Sequence, residues 1–225
     1  MKCELIKLHN INVCEPKYGD LKLNVFPIDS SKELELPLEF KRWEDNVKEI
    51  LEYIPFQDDA NIHYITIDSK FFTQDETLRR EGLHIDGNFC VDPEFKFKSW
   101  AGSYLEDGKV IQLFSSPYDF QIPLGNYISE HLGGIFCVAS STGCEAWTGY
   151  LADNVGNEGA YDVNSLKDKK STILLPNNLY FMSSNTPHRS LITTKGHRRT
   201  LIRITLNHNY NNRVILRHYK NKLIA

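Results

Sequence analysis

With 225 residues, 41% hydrophobic and 24% charged, the chain has the size and make-up expected of one globular domain. It is long enough to bury roughly 70% of its unfolded surface without disulfide staples. Twenty-six Lys and Arg against 29 Asp and Glu leave a net charge of −3, which does not favour a nucleic-acid binder, although a local basic patch is compatible with it. The five cysteines (Cys3, Cys14, Cys90, Cys137, Cys144) are odd in number and form no CxxC pair, so reduced thiols in the cytoplasm are expected. Residues 1–20 lack the apolar core of a signal peptide. No apolar run approaches the roughly 18 residues that span a bilayer.

In chain order, the first clear element is a helix over 38–54. Phe40, Trp43, Val47, Ile50, Leu51 and Ile54 recur mostly at three- and four-residue steps, with Pro37 at its start and Pro55 at its end. A strand apolar on both faces follows at 61–68, then a short helix at 74–81. Further strands are expected at 110–114, 134–139, 172–175, 179–182 and 200–206, where β-branched and aromatic residues cluster. Pro176-Asn177-Asn178 marks a turn. Two stretches, 87–109 and 150–170, read as long loops, the usual seat of substrate selectivity on a rigid β scaffold. Phe95-Lys96-Phe97-Lys98 alternates as an edge strand does. The pattern predicts one mainly-β domain over 1–225: helical support at 1–59, a double-sheet jelly-roll core at 60–206 and a solvated basic tail at 207–225.

Two short motifs carry chemistry. His84-Ile85-Asp86 places an imidazole and a carboxylate at i and i+2, the same face of a strand, where both can reach one metal ion. An isolated HxD also arises by chance, as a surface histidine beside a turn aspartate. His188, in Pro187-His188-Arg189-Ser190, offers the third ligand from a distant strand end. Two histidines and one carboxylate occupy one face of a ferrous ion and leave the other positions open. Arg199 and Arg203 lie 11 and 15 residues beyond His188 and four apart, on one side of a strand with Leu201 and Thr205. Thr200, Ile202, Ile204 and Leu206 take the other side, which suits packing against the helix. Either the arginine face meets water, or it points inward and needs an anionic partner.

On these residues the chain resembles the Fe(II)- and 2-oxoglutarate-dependent oxygenases with a double-stranded β-helix core: HxD, a distal His, then a basic residue on the last core strand. The Arg199-x-x-x-Arg203 spacing is similar to that of the taurine dioxygenase and amino-acid hydroxylase clade, and the chain loosely resembles bacteriophage members of the family. The resemblance implies Fe(II) held by His84, Asp86 and His188. It implies 2-oxoglutarate held by Arg199 at its 5-carboxylate, with Arg203 nearer the iron. It also implies a hydroxylation of a small molecule or amino-acid side chain by O2, coupled to release of succinate and CO2. The carboxylate at Asp86 favours hydroxylation over halogenation. Arg198-x-Thr200 also fits a cosubstrate motif, so the choice between Arg198 and Arg199 rests on keeping the isoleucines together. A cosubstrate partner on an earlier strand is expected but has no assigned residue.

Two other readings stand beside this one: a cupin-type zinc or manganese hydrolase or isomerase using the same three ligands, and a non-catalytic jelly-roll binding module. A zinc hydrolase has no general need for two arginines aimed at a dicarboxylate, and the metal content of anaerobically purified protein separates the binding module from both enzymes. Trp100, Tyr104, Trp147 and Tyr150, in or beside the two loops, are candidates for a substrate wall or for core. Arg213, Arg217, His218, Lys220 and Lys222 in the tail are candidates for phosphate contact or for a solvated end.

Overall fold

A computed structural model describes residues 2–16, 19–58, 60–77, 82–85, 103–106, 109–112, 133–150, 160–207 and 210–220. Its elements in chain order are β1 (Lys2–Cys3), β2 (Leu5–Asn10), β3 (Leu21–Asp29), a 3-10 segment (Leu38–Trp43), α1 (Glu44–Leu51), β4 (Ile62–Phe72), β5 (Ser103–Glu106), β6 (Lys109–Gln112), β7 (Ile135–Ala139), β8 (Cys144–Trp147), β9 (Gly149–Tyr150), a 3-10 turn (Val163–Leu166), β10 (Ser171–Ile173), β11 (Asn178–Met182), β12 (His188–Ser190), β13 (His197–Thr205) and α2 (Arg213–Lys220). The protein is mainly β, and its strand pairs are antiparallel.

Alternation along the central strands builds two cores from one sheet. The larger sheet runs β2-β11-β7-β13-β4-β3. Successive side chains of a strand point to opposite faces. Ile65 and Ile67 of β4, Phe136 and Val138 of β7, Leu179 and Phe181 of β11, and Ile202 and Ile204 of β13 all turn to one face. There they meet Phe40, Trp43, Val47, Ile50 and Ile54 from the N-terminal helical segment. Burying one side chain of this size contributes about 1.5–3 kcal/mol, so this face dominates the core. The helix predicted at 38–54 is present as the 3-10 segment leading into α1. Lys41 and Lys48 both reach Glu44, at 2.6 and 3.0 Å, and these partners hold its carboxyl at about 2.

The opposite face packs on a second, smaller sheet, β10-β8-β12. Ile135 and Cys137 of β7, Tyr180 and Met182 of β11, and Leu201 of β13 form a layer with Ala146 of β8 and Leu174. Residues 82–85 extend this sheet, because His84 bridges His188 of β12 on one side and Ala160 on the other. Two sheets face to face over alternating side chains make a β-sandwich, with the helices on the outer face of the larger sheet.

Several expectations are corrected. The stretch 1–59 is not simply helical support, since it also supplies β1, β2 and β3. The period of two in β3 is broken by an irregularity between Leu23 and Phe26, where Val25 has φ 52°, and Pro27 lies within the strand. Both features belong to an edge position and hide the strand from pattern reading. Residues 74–77 are not helical. Thr193 donates its backbone N–H to the Glu76 carbonyl, and Thr77 bridges Ile192, which draws the segment across the fold; residues 78–81 lie outside the described set. Part of the loop predicted at 87–109 is strand β5, paired with β6. Part of that at 150–170 is the turn Val163–Leu166, capped by Asp162, whose carboxylate accepts from the Asn164 N–H at 2.9 Å. The tail is not simply a solvated end, because it carries α2, whose Ile215 and Tyr219 join the main core. The edge strand expected at Phe95-Lys98 lies outside the described residues. No helix among the described residues is long and apolar enough to cross a membrane.

Candidate functional site

The segment carrying His84 is positioned by its neighbours. Leu83 and Ile85 turn into a small core with Cys3, Trp147, Tyr161 and Leu166. His84, between them, takes the other side. Its backbone exchanges both hydrogen bonds with His188, His84 N to His188 O at 3.0 Å and His188 N to His84 O at 2.8 Å. Residues 104 apart in sequence are thereby directly opposed, with ring centres 4.6 Å apart and planes 58° apart. Trp147, a candidate for the substrate wall, is a core residue of the small cluster. Of Tyr104 and Tyr150 only the strand positions are described, and Trp100 lies outside the described residues.

Ring spacing alone is what any cross-strand histidine pair reaches. The proton positions are more specific. His84 Nδ1 lies 3.0 Å from the Gly82 carbonyl, and His188 Nδ1 lies 3.0 Å from the Thr186 carbonyl. A carbonyl only accepts, so each neutral ring carries its proton on Nδ1 and its lone pair on Nε2. Metal-ligating histidines commonly donate their other N–H to a backbone carbonyl in this way. Two imidazoles bound to one ion through nitrogen at about 2.1 Å and near right angles stand with ring centres roughly 4–5 Å apart. The pair therefore fits a divalent ion on both counts. Asp86 lies outside the described residues, and no group of three possible ligands occurs among the described ones.

The arginine face of β13 points into the space between the sheets. Arg199 is 4% exposed and Arg203 9%. They share that face with Leu201, whose neighbours in the layer include Cys137, Tyr180 and Ala146. Ala146 stands directly opposite His188 in the small sheet, so the histidine pair and the arginines border the same layer. Thr66 of β4 stands opposite Arg203, and Arg203 Nε donates to Thr205 Oγ1 at 3.1 Å. Arg198 faces the other way and donates to the Gly19 carbonyl at 2.7 Å and to Asp20 at 3.2 Å. The isoleucine phasing read from the sequence is thus the one the fold adopts.

Arg199 is the electrostatic anomaly. Its Nε has no hydrogen-bond partner. No ion pair joins its guanidinium to any described residue. Burial pushes its pKa below the usual value, and Cys144, Asp68 and Cys137 only partly oppose this. Arginine does not shed its proton in proteins, so the charge stays. Arg199 borders a cavity of about 30 Å³ lined also by Cys137, Cys144, Leu174, Tyr180 and Leu201. That is room for a water molecule or a compact anionic group. Sequence reading passed over Cys137 and Cys144 as site residues. The signal for Cys137 was present, since it alternates with Phe136 and Val138 and so had to lie on the arginine side.

No protein-family model matches the chain, and no curated protein sequence is significantly similar to it.

Proposed function

We propose that the chain is a non-haem Fe(II)- and 2-oxoglutarate-dependent dioxygenase that hydroxylates a small molecule or an amino-acid side chain. The observation that carries this reading is Arg199, a buried cation with no ion-pair partner among the described residues, bordering the same inter-sheet layer as a histidine pair whose Nδ1 atoms face backbone carbonyls. An uncompensated buried charge costs several kcal/mol, and a ligand carboxylate offsets that cost. A zinc hydrolase has no comparable need for it.

Strand order supports a double-stranded β-helix. Taking β4, residues 82–85, β7, β8, β10, β11, β12 and β13 as segments one to eight, the larger sheet contains the order 6-3-8-1 and the smaller one 5-4-7-2. Segments two and seven are then neighbours, which is how an HxD motif and a distal histidine meet. Segment eight faces them from the other sheet and carries the arginines.

Bound together, iron and 2-oxoglutarate supply O2 activation coupled to loss of CO2 and formation of succinate. The chain's own residues prepare for this. The Gly82 and Thr186 carbonyls would hold both imidazoles in the ligating tautomer, and Asp86 would add a carboxylate to the set. Arg199 takes the far carboxylate of 2-oxoglutarate into its cavity, where Leu174, Leu201 and Tyr180 exclude water and strengthen the pairing. Arg203 lies two repeats of the strand alternation further along, beyond Leu201, towards the other end of the cosubstrate.

The test is an anaerobic titration of the metal-free protein with Fe(II) and 2-oxoglutarate, read by visible absorbance. The wild type is expected to develop a metal-to-ligand charge-transfer band, His188→Ala to lack it, and Arg199→Met to require about 10–100 times more 2-oxoglutarate, the loss of a charged hydrogen-bonded contact. A wild-type protein that loads iron but shows no band rules out bidentate 2-oxoglutarate.

A further inference from the structure

Cys144 borders the Arg199 cavity, as does Cys137 on the opposing sheet. The two thiols differ in access: Cys137 is buried, whereas Cys144 is only half-buried at the start of β8. Neither is in a disulfide. Reactive cysteines occupy electropositive, partly exposed surroundings, because a nearby cation favours the nucleophilic thiolate. Arg199 supplies that cation, with its Nε unpartnered and its side chain buried against the same cavity.

We propose that Cys144 is a modification site at which oxidation by a peroxide closes the Arg199 anion cavity. The Cys144 sulfur attacks one oxygen of hydrogen peroxide. The O–O bond breaks, a sulfur–oxygen bond forms, and sulfur loses two electrons to give the sulfenic acid. The second oxygen leaves as water with the thiol proton. A second peroxide repeats the step, adding one oxygen and releasing one water, and the resulting sulfinic acid loses its proton to solvent. A fixed sulfinate then stands where a ligand carboxylate would pair with Arg199. The modification itself needs only the thiol, the guanidinium and the cavity. Its consequence for 2-oxoglutarate rests on the function proposed above.

The experiment compares alkylation of the full-length protein by iodoacetate and by iodoacetamide, mapped by peptide mass spectrometry, with exposed Cys14 as the internal reference. Arg199 attracts the anionic reagent, so the iodoacetate-to-iodoacetamide rate ratio at Cys144 is expected to exceed that at Cys14 by about tenfold, a one-unit change in local potential expressed on the pKa scale. In Arg199→Met the excess disappears. Equal ratios at Cys144 and Cys14 in the wild type overturn the proposal without recourse to any variant. Peroxide treatment is then expected to add two oxygen atoms at Cys144 and to weaken 2-oxoglutarate binding in equilibrium dialysis at least about tenfold, while treated and untreated Cys144→Ser, whatever its own affinity, bind 2-oxoglutarate alike. Oxygenated Cys144 with undiminished 2-oxoglutarate binding also overturns it. A charge-dependent ratio at Cys144 in a protein that never binds 2-oxoglutarate upholds the modification site and defeats the cosubstrate assignment instead.

Discussion

His63 shows how one side chain can tie stability to pH. It is fully buried, its Nδ1 accepts the Asn207 backbone N–H at 3.2 Å, and its ring meets Tyr210 edge-on at 5.6 Å. That bond places the proton on Nε2, which has no partner. Burial lowers its pKa from 6.5 to about 4, against weak opposition from Asp29. Between those values the unfolded chain takes up a proton that the folded chain refuses. Stability is therefore fully present above pH 6.5 and falls as the pH drops towards 4, by about 3 kcal/mol at most. Urea unfolding across this range should show the decline in the wild type and, in His63→Phe, only a shallow fall close to pH 4 as the carboxylates of Glu44 and Glu76 begin to take up protons in the unfolded chain. Asp29 and Glu44, both held at about 2, act largely below this window. A wild-type curve without the decline would mean that His63 is not shielded as the fold implies.

At the scale of elements, α2 changes the meaning of a basic tail. Arg213 and Arg217 are exposed, while Ile215 is fully buried and Tyr219 packs against Tyr53 with ring centres 5.4 Å apart. Asn212 anchors the helix start by donating to the Gly133 carbonyl at 3.0 Å. The charged side chains form the wet face of a docked helix. Ile215→Ala is expected to cost about 2–5 kcal/mol through lost burial and the cavity left behind. Arg217→Ala is expected to stay within about 0.5 kcal/mol. Chemical denaturation of both variants checks the contrast, and equal, small effects would mean that the helix does not dock. Recognising α2 from sequence was hard, because Ile215, Leu216 and Tyr219 are its few anchors within eight residues of mixed polarity. The helix at 38–54, with six periodic apolar positions between two prolines, was far easier to read.

At the scale of the whole molecule, the inter-sheet layer buries Arg199, whose charge Asp68, opposite Leu201 on the same face of the sheet, offsets only in part. A ligand that binds only the folded state stabilises it by RT ln(1 + [L]/Kd), about 2.7 kcal/mol at a hundredfold excess over Kd. A domain of this size gains roughly 2–4 °C in Tm per kcal/mol. Adding 2-oxoglutarate to the anaerobic Fe(II)-loaded protein, at a hundredfold excess over the wild-type Kd, is therefore expected to raise the wild-type Tm by several degrees beyond the shift of Fe(II) alone, and that of Fe(II)-loaded Arg199→Met by much less. Monocarboxylates of similar size should act far less. Equal shifts in wild type and variant would place the ligand away from Arg199.

Local patterns were readable from the chain itself. The HxD spacing, the four-residue step from Arg199 to Arg203, the isoleucine phase of the last long strand, the proline-bounded helix and most of the inner strands depend on periods of two or 3.6 that belong to the backbone. Edge strands, the bulge at Val25 and the strand at His188 did not announce themselves, since irregular or very short pairing leaves little periodicity. Only tertiary structure decided that His84 faces His188, that each ring turns its Nδ1 to a backbone carbonyl, and that Arg199 is buried between the sheets beside a cavity that Cys144 also lines. These facts depend on contacts between residues far apart in the chain, and no local pattern encodes which strands become neighbours or which polar atoms lose their water.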